Sequence, residues 1–365
     1  MNNPLQRRLT QWHGYALMIG GMIGSGLFVV TGEAGAKAGP SVPFGYVILL
    51  PIILCTALAY LVFLSTPLGN HAGGAYIHIS RTFNNRFIGY IFIWFQYIAL
   101  IGVVAVMGLS FGQFIAPDAG HYVQVMIATL LVLVFYFLNV IGVKWFGNIQ
   151  LWMSILLLIA ILILVIPGLF SLKMDNYSTM LPFGWSGFFS ILPSLFFSYF
   201  GFEQLAQAGA EMKDSRQSMP RTMIIGLLLT VSIYFLVSFV AFGHLPFQTL
   251  AASNHAMADV AALYLPSFGK WIVMFGIVMA FATTLNSALM VISRVVFSLS
   301  EDRVIPSSLA RVSQRFGTPH IALTLNTALI IFLLWTKTLD YVLNISLQGM
   351  FIMYIGHALS LIVLP

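Results

Sequence analysis

Apolar residues run through this chain in long blocks separated by short polar joints. The blocks lie near Trp12–Ala38, Val42–Ser65, Phe87–Ile115, Tyr122–Val143, Ile149–Leu169, Gly187–Gly209, Thr222–Gly243, Phe268–Ser300, Ile321–Trp335 and Tyr341–Leu364. By the length needed to cross roughly 30 Å of hydrocarbon, they predict about ten membrane-crossing helices. Little chain remains between them for a soluble domain, so residues 1–365 read as one transmembrane domain. Two joints carry structure of their own. Pro67 to Tyr76 leads into Ile77, Ile79 and Phe83 with Arg81 and Arg86 toward water, which predicts a short interfacial helix. His244 to Pro266 is alanine-rich and moderately apolar, which predicts a helical lid.

The first block is unusual, because Gly20, Gly21, Gly24 and Gly26 fall in its middle. Each glycine costs about 1 kcal/mol relative to alanine in a helix interior. The cluster therefore marks either close helix packing through small-xxx-small contacts or a place where the helix stops and restarts. Non-helical backbone at membrane depth survives only inside protein or along a cavity. The sixth block repeats the theme, with Ser198-Tyr199-Phe200-Gly201-Phe202-Glu203-Gln204 at its centre. Interruptions five helices apart fit two five-helix repeats of opposite orientation, about residues 10–170 and 185–365.

Composition agrees with a membrane protein: 59% of residues are hydrophobic and 7% charged, with a mean hydropathy of +0.95. The net charge of +6 is spread along the loops, so it reports topology and gives no sign of nucleic-acid binding. With the N-terminus inside, Arg7, Arg8, Arg81, Arg86, Lys144, Lys213, Arg216, Arg221, Arg294, Arg303, Arg311 and Arg315 face the cytoplasm; Lys37, Lys173, Lys270 and Lys337 face out. Arg7 and Arg8 precede a long span without a small-residue cleavage site, so that span is expected to stay in the mature protein. Cys55 is the single cysteine and decides nothing about redox compartment.

Candidate chemistry gathers at the interruptions. A helix restarting near Gly26 offers unpaired N–H groups and the positive end of its dipole to a carboxylate, with Ser25 as a further donor. Carbonyls near Met22 suit an ammonium group, and an α-amino acid carries both groups. Glu203 near mid-membrane is either a proton-coupling carboxyl or a structural tether. Among the surrounding aromatics, Phe197 is the candidate gate. Thr283, Thr284, Asn286 and Ser287 cluster at helical spacing and could ligate sodium or bond between helices. No metal or cofactor is expected, and scattered histidines without a flanked nucleophile give no enzyme site.

Gly21-Met-Ile-Gly-Ser-Gly-Leu-Phe28, Ala38-Gly-Pro40, Gly73-Gly-Ala-Tyr76, Gly201-Phe-Glu203, Glu211-Met-Lys213 with Met219-Pro-Arg221, and Glu301-Asp-Arg-Val-Ile-Pro306 before Thr318-Pro319 follow one another over nearly the whole chain. In these motifs the chain resembles the amino acid–polyamine–organocation superfamily, specifically its amino acid permeases. The resemblance implies an all-α polytopic fold, the leucine-transporter-type 5+5 inverted repeat with discontinuous helices 1 and 6. It also implies a substrate site at Met22, Ile23, Gly24, Ser25, Gly26, Phe197, Tyr199, Phe200, Gly201 and Ser287, with Glu203 in coupling. The expected activity is exchange or proton-coupled uptake of amino acids at the cytoplasmic membrane. Amines or polyamines, and a channel or receptor-like protein, are the alternatives; the oligomeric state is not indicated. Several proton-coupled relatives carry a lysine in the fifth helix, whereas Ile155 to Ile166 holds no basic residue. Members usually have twelve helices, and the core fold needs the ten expected here.

Overall fold

The computed structural model describes residues 5–28, 30–253, 255–336 and 339–364. The first apolar block is broken into α1 (Gln11–Met22), α2 (Ser25–Phe28) and α3 (Val30–Ala38). The second is α4 (Val42–Ile48) and α5 (Leu50–Ser65), joined where Pro51 enters the first turn of α5, the one part of a helix that tolerates a missing N–H. There follow α6 (Ala75–Thr82), α7 (Arg86–Ile115), α8 (His121–Val140) and α9 (Val143–Phe170). The sixth block is α10 (Gly184–Phe197), a non-helical turn, and α11 (Gln204–Gln207). The remainder is α12 (Ser215–His244), α13 (Phe247–Ala252), α14 (Ala256–Tyr264), α15 (Ser267–Glu301), α16 (His320–Leu334) and α17 (Leu339–Val363).

Among the described residues, 7 helical stretches are long and apolar enough to cross a membrane. The difference from ten has a plain cause. The first two expected spans run together across Gly26–Ser65, while α10 and α16 are apolar but short, and α1 has 12 residues. The bundle is apolar on its outside, as Phe137, Trp152 and Phe332 show, while Glu203, Glu211 and Arg294 are buried inside. That is the reverse of a water-soluble surface and suits a lipid solvent.

α15 is the central post: every residue from Ala280 to Ser300 is buried, and it packs against α1, α7, α8, α9, α14 and α16. Residues 5–10, α6 and the turn after α15 gather at one end of the bundle, where Leu9 pairs with the backbone of Glu211 (2.9 Å) and Lys213 (2.8 Å). A buried ion pair reinforces that end. Arg294 holds Glu211 in a two-pronged grip, Nε to Oε2 at 2.9 Å and Nη2 to Oε1 at 2.7 Å. At the opposite end α13 packs on α3 and α14 on α15, so the segment expected to be a lid is two short helices. The expected interfacial helix exists as α6, but Ala75–Ser80 are all buried against α7 and α17. Close contact such as Ser80 on Gly89 draws it into the protein rather than onto a bilayer surface.

Candidate functional site

The two interruptions meet. Met22 closes α1, Ile23 and Gly24 leave the helix, and α2 restarts at Ser25. Opposite, the chain from Ser198 to Glu203 turns between α10 and α11, with Gly201 at φ +121°. A Cβ on Gly26 would stand 2.8 Å from Ser198 Cα, and one on Gly201 2.8 Å from the Gly21 carbonyl. As numbering rises from 21 to 26 on one strand of the contact, it falls from 201 to 198 on the other. Only glycine permits this approach, and only glycine readily takes the positive φ.

Helix ends inside a bundle leave carbonyls and amides without helical partners, and here side chains supply many of them. Met22 O accepts from Gly24 N (3.0 Å) and Tyr234 OH (2.7 Å), and that hydroxyl also lies 2.5 Å from Ser198 O. Ser198 Oγ donates to Gly26 O at 3.0 Å, and Thr284 Oγ1 to Gly20 O at 3.0 Å. The Met22 carbonyl is thus engaged in this arrangement rather than free for an ammonium group.

Between the breaks lies a cavity of about 30 Å³ lined by Gly21, Met22, Gly24, Gly26, Leu100, Val103, Met107, Phe197, Ser198, Phe200, Gly201, Glu203, Gln204, Thr284 and Met350. It has room for a water or two but not for an amino acid, so its walls must move apart to admit one. Phe197 and Phe200, ring centroids 5.4 Å apart, form the aromatic wall. Glu203 is fully buried. Its Oε2 accepts from Gly201 N and Tyr354 OH, both at 3.0 Å. Glu203 Oε1 and Gln204 Oε1 have no hydrogen-bond partner among the described residues.

Of the residues singled out in the sequence, Met22, Gly24, Gly26, Phe197, Phe200, Gly201 and Glu203 line this cavity. Ile23, Tyr199 and Ser287 do not. Tyr199 packs behind the break, donating to Tyr46 O at 2.8 Å, and Ser287 turns back onto Thr284 O at 3.0 Å. The Ser25 side chain lies outside the described residues, as does Lys337. The α15 polar cluster is engaged within the protein: Asn286 donates to Gln150 Oε1 (2.8 Å) and accepts from Asn139 (2.9 Å). Gln150 Nε2 in turn caps the carbonyls of Ala16 and Thr283. Leu100, Val103, Met107 and Met350 were not legible in the sequence, since on α7 and α17 they read as ordinary packing. Gln204 stood inside a noted motif and could have been found there.

A second cavity, about 420 Å³, opens at the α13–α14 end and is lined by Phe28, Glu33, Gln113, Gln124 and Ser253 among others. Gly26 lines the central cavity and Phe28, two residues further along α2, lines this one.

Paired breaks at the centre of an all-helical bundle with an apolar exterior fit a polytopic membrane protein. Comparison with known sequences agrees. Residues 9–364 match the family model described as "Amino acid permease". The chain belongs to that family, whose members are transporters and not enzymes. Relatives include the branched-chain amino acid permease BcaP of Bacillus subtilis (strain 168), 26% identical over 87% of this chain and 72% of the relative. The serine/threonine exchanger SteT of the same strain is 27% identical over 97% of this chain and 82% of its own. The D-serine/D-alanine/glycine transporter of Escherichia coli (strain K12) is 27% identical over 96% and 76%.

Proposed function

We propose that the chain moves neutral amino acids across the cytoplasmic membrane by alternating access, with the N-terminus and its twelve inner basic residues on the cytoplasmic side. The observation that carries this is the central cavity, where two interrupted helices touch and two buried acceptors, Glu203 Oε1 and Gln204 Oε1, have no partner among the described residues. Such acceptors suit the ammonium group of a cargo, and the amides at the start of α2 suit its carboxylate. The opposed running of residues 21–26 and 198–201 supports inverted repeats over 10–170 and 185–365.

Neutral cargo follows from the wall. Leu100, Val103, Met107, Met350, Phe197 and Phe200 offer no charge to a side chain, and the carboxyl in the wall, Glu203, is assigned to the ammonium group of the cargo. The relatives named for branched-chain amino acids, serine and threonine, and D-serine, D-alanine and glycine all act on neutral compounds. Exchange or coupling through Glu203 is the mode in view.

Counterflow into proteoliposomes tests the reading, with radiolabelled L-leucine, L-serine and L-alanine as probes. Saturable uptake that rises when unlabelled amino acid is loaded inside is expected. Uptake with neither saturation nor trans-stimulation means a channel, and competition by putrescine but by no amino acid means an amine carrier.

A further inference from the structure

Away from the central cavity, two histidines face each other inside the protein. His78 Nδ1 and His357 Nε2 are 2.9 Å apart, so one ring donates to the other. Both are buried, and α5 encloses them with aromatic rings. Phe63 stacks on His78 at 4.7 Å and 9°, and Tyr60 on His357 at 3.9 Å and 28°. His357 Nδ1 has no hydrogen-bond partner among the described residues.

The pair sits at a junction between two ends of the molecule. His357 is one helical turn beyond Tyr354, whose hydroxyl bonds Glu203 at the central break. His78 is one turn before Arg81, which grips Asp302 at 2.8 Å, while Tyr76 on the same helix bonds the other Asp302 oxygen at 2.7 Å. The imidazole bond thus fastens α6, which belongs to the cytoplasmic end, to α17, which belongs to the site.

We propose that His78 and His357 form a proton-operated latch between α6 and α17, closed while both rings are neutral and opened when the rings take up protons. Its bearing on transport rests on the alternating-access reading above; the latch itself does not. The bond needs one bare ring nitrogen and one N–H. A proton on each ring would set two N–H groups and two positive charges against each other across 2.9 Å. Burial already pushes the His78 imidazole down to about 3, with His71 adding to the effect. An opened, hydrated ring returns toward about 6.5. The open form therefore binds protons more tightly. The closed form holds fully above about pH 6.5 and loses ground as pH falls, by up to about tenfold per ring for each pH unit.

Other titratable groups lie nearby, and the variants below separate the pair from them. α5 contributes the Tyr60 hydroxyl, which is turned to Met353 Sδ at 3.2 Å. α17 contributes Tyr354, committed to Glu203. At the outer edge of α6, Arg86 from the start of α7 bonds the Asp302 carbonyl, and α15 brings Glu301 at its end and Arg294, which is paired with Glu211. His71 lies in the loop before α6 and is exposed.

Hydrogen–deuterium exchange on the purified full chain in lipid nanodiscs tests the latch without reference to transport. After correction for the intrinsic pH dependence, amides of residues 75–82 are expected to exchange at least tenfold faster at pH 5.5 than at pH 7.5. His78→Asn and His357→Gln keep a hydrogen-bonding atom near Nδ1 and Nε2 but cannot titrate; each alone is expected to reduce that acceleration and the two combined to abolish it. Equal protection of wild-type residues 75–82 at both pH values overturns the proposal, as does unchanged acid loosening in the two variants. If either variant misfolds, the wild-type comparison still decides. Counterflow on the same preparation reports separately on the transport reading, which falls if no probe is exchanged, whatever the latch does.

Discussion

Gly21 and Gly201 are far apart in sequence and in contact in the fold: a Cβ on Gly201 would stand 2.8 Å from the carbonyl carbon and oxygen of Gly21. Gly201→Ala forces that contact and a positive φ on alanine at once. Strain of this kind costs about 1–3 kcal/mol before the clash is added. The expected outcome is a clear fall in thermal midpoint and loss of exchange. Wild-type stability and counterflow in Gly201→Ala would mean that the two breaks do not touch as described.

Why this pair was only half legible beforehand is a matter of what sequence records. Glycine clusters in apolar blocks announce a backbone that needs room, so both breaks and the carboxyl beside the second could be placed. The partner of a glycine is not written in its neighbours, and neither is the direction a side chain takes off an irregular turn. Tyr199 and Phe200 are adjacent, yet one backs the break and the other lines the cavity. α6 failed for a related reason: Arg81 and the nearby Arg86 suggested a water-facing surface, but His78 and Ser80 are polar residues buried against α17 and α7. The Leu100, Val103 and Met107 wall lay on a helix apolar all round, where no pattern distinguishes a cavity from packing.

Tyr234 serves both breaks with one hydroxyl, between Met22 O and Ser198 O. Tyr234→Phe keeps the ring against Tyr46 and Tyr199 but leaves buried carbonyl groups short of a donor. A loss of about 1–3 kcal/mol is expected, read as a lower thermal midpoint, with slower exchange. An unchanged thermal midpoint and unchanged exchange in Tyr234→Phe would remove the hydroxyl from the account.

The Arg294–Glu211 pair calls for a double-mutant cycle. Removing one partner of a buried pair is expected to cost about 3–5 kcal/mol because the other charge is stranded. Arg294→Met and Glu211→Gln alone should each destabilise strongly, and the two together by less than their sum. Strict additivity would show that the charges do not interact.

At the end of the bundle where α6 meets the turn after α15, burial alone would raise the Asp302 carboxyl, but hydrogen bonds from Arg81 and Tyr76 and the charges of Arg81 and Arg86 outweigh it and hold it below the usual range. A carboxyl lowered on folding stabilises the fold above its unfolded value, about 3.9, and that contribution fades as pH falls through the lower folded value. Asp302→Asn is therefore expected to lower the thermal midpoint at neutral pH, with the gap to wild type closing below about pH 4. A constant gap across the acid range would rule out the ion pair as its source.

Glu203 joins the sixth-block break to α17, accepting from Gly201 N and the Tyr354 hydroxyl, and one substitution separates a coupling duty from a tethering one. Glu203→Gln keeps the shape and an acceptor for the Gly201 N–H and Tyr354 hydroxyl but cannot exchange a proton. If Glu203 couples protons to transport, counterflow in this variant should persist while its dependence on pH flattens. Tyr354→Phe, which removes one of the two donors to Oε2 and leaves the carboxyl titratable, should retain a pH dependence with a displaced midpoint. The same pH profile in wild type, Glu203→Gln and Tyr354→Phe would leave Glu203 as a tether, fastening the sixth-block break to α17.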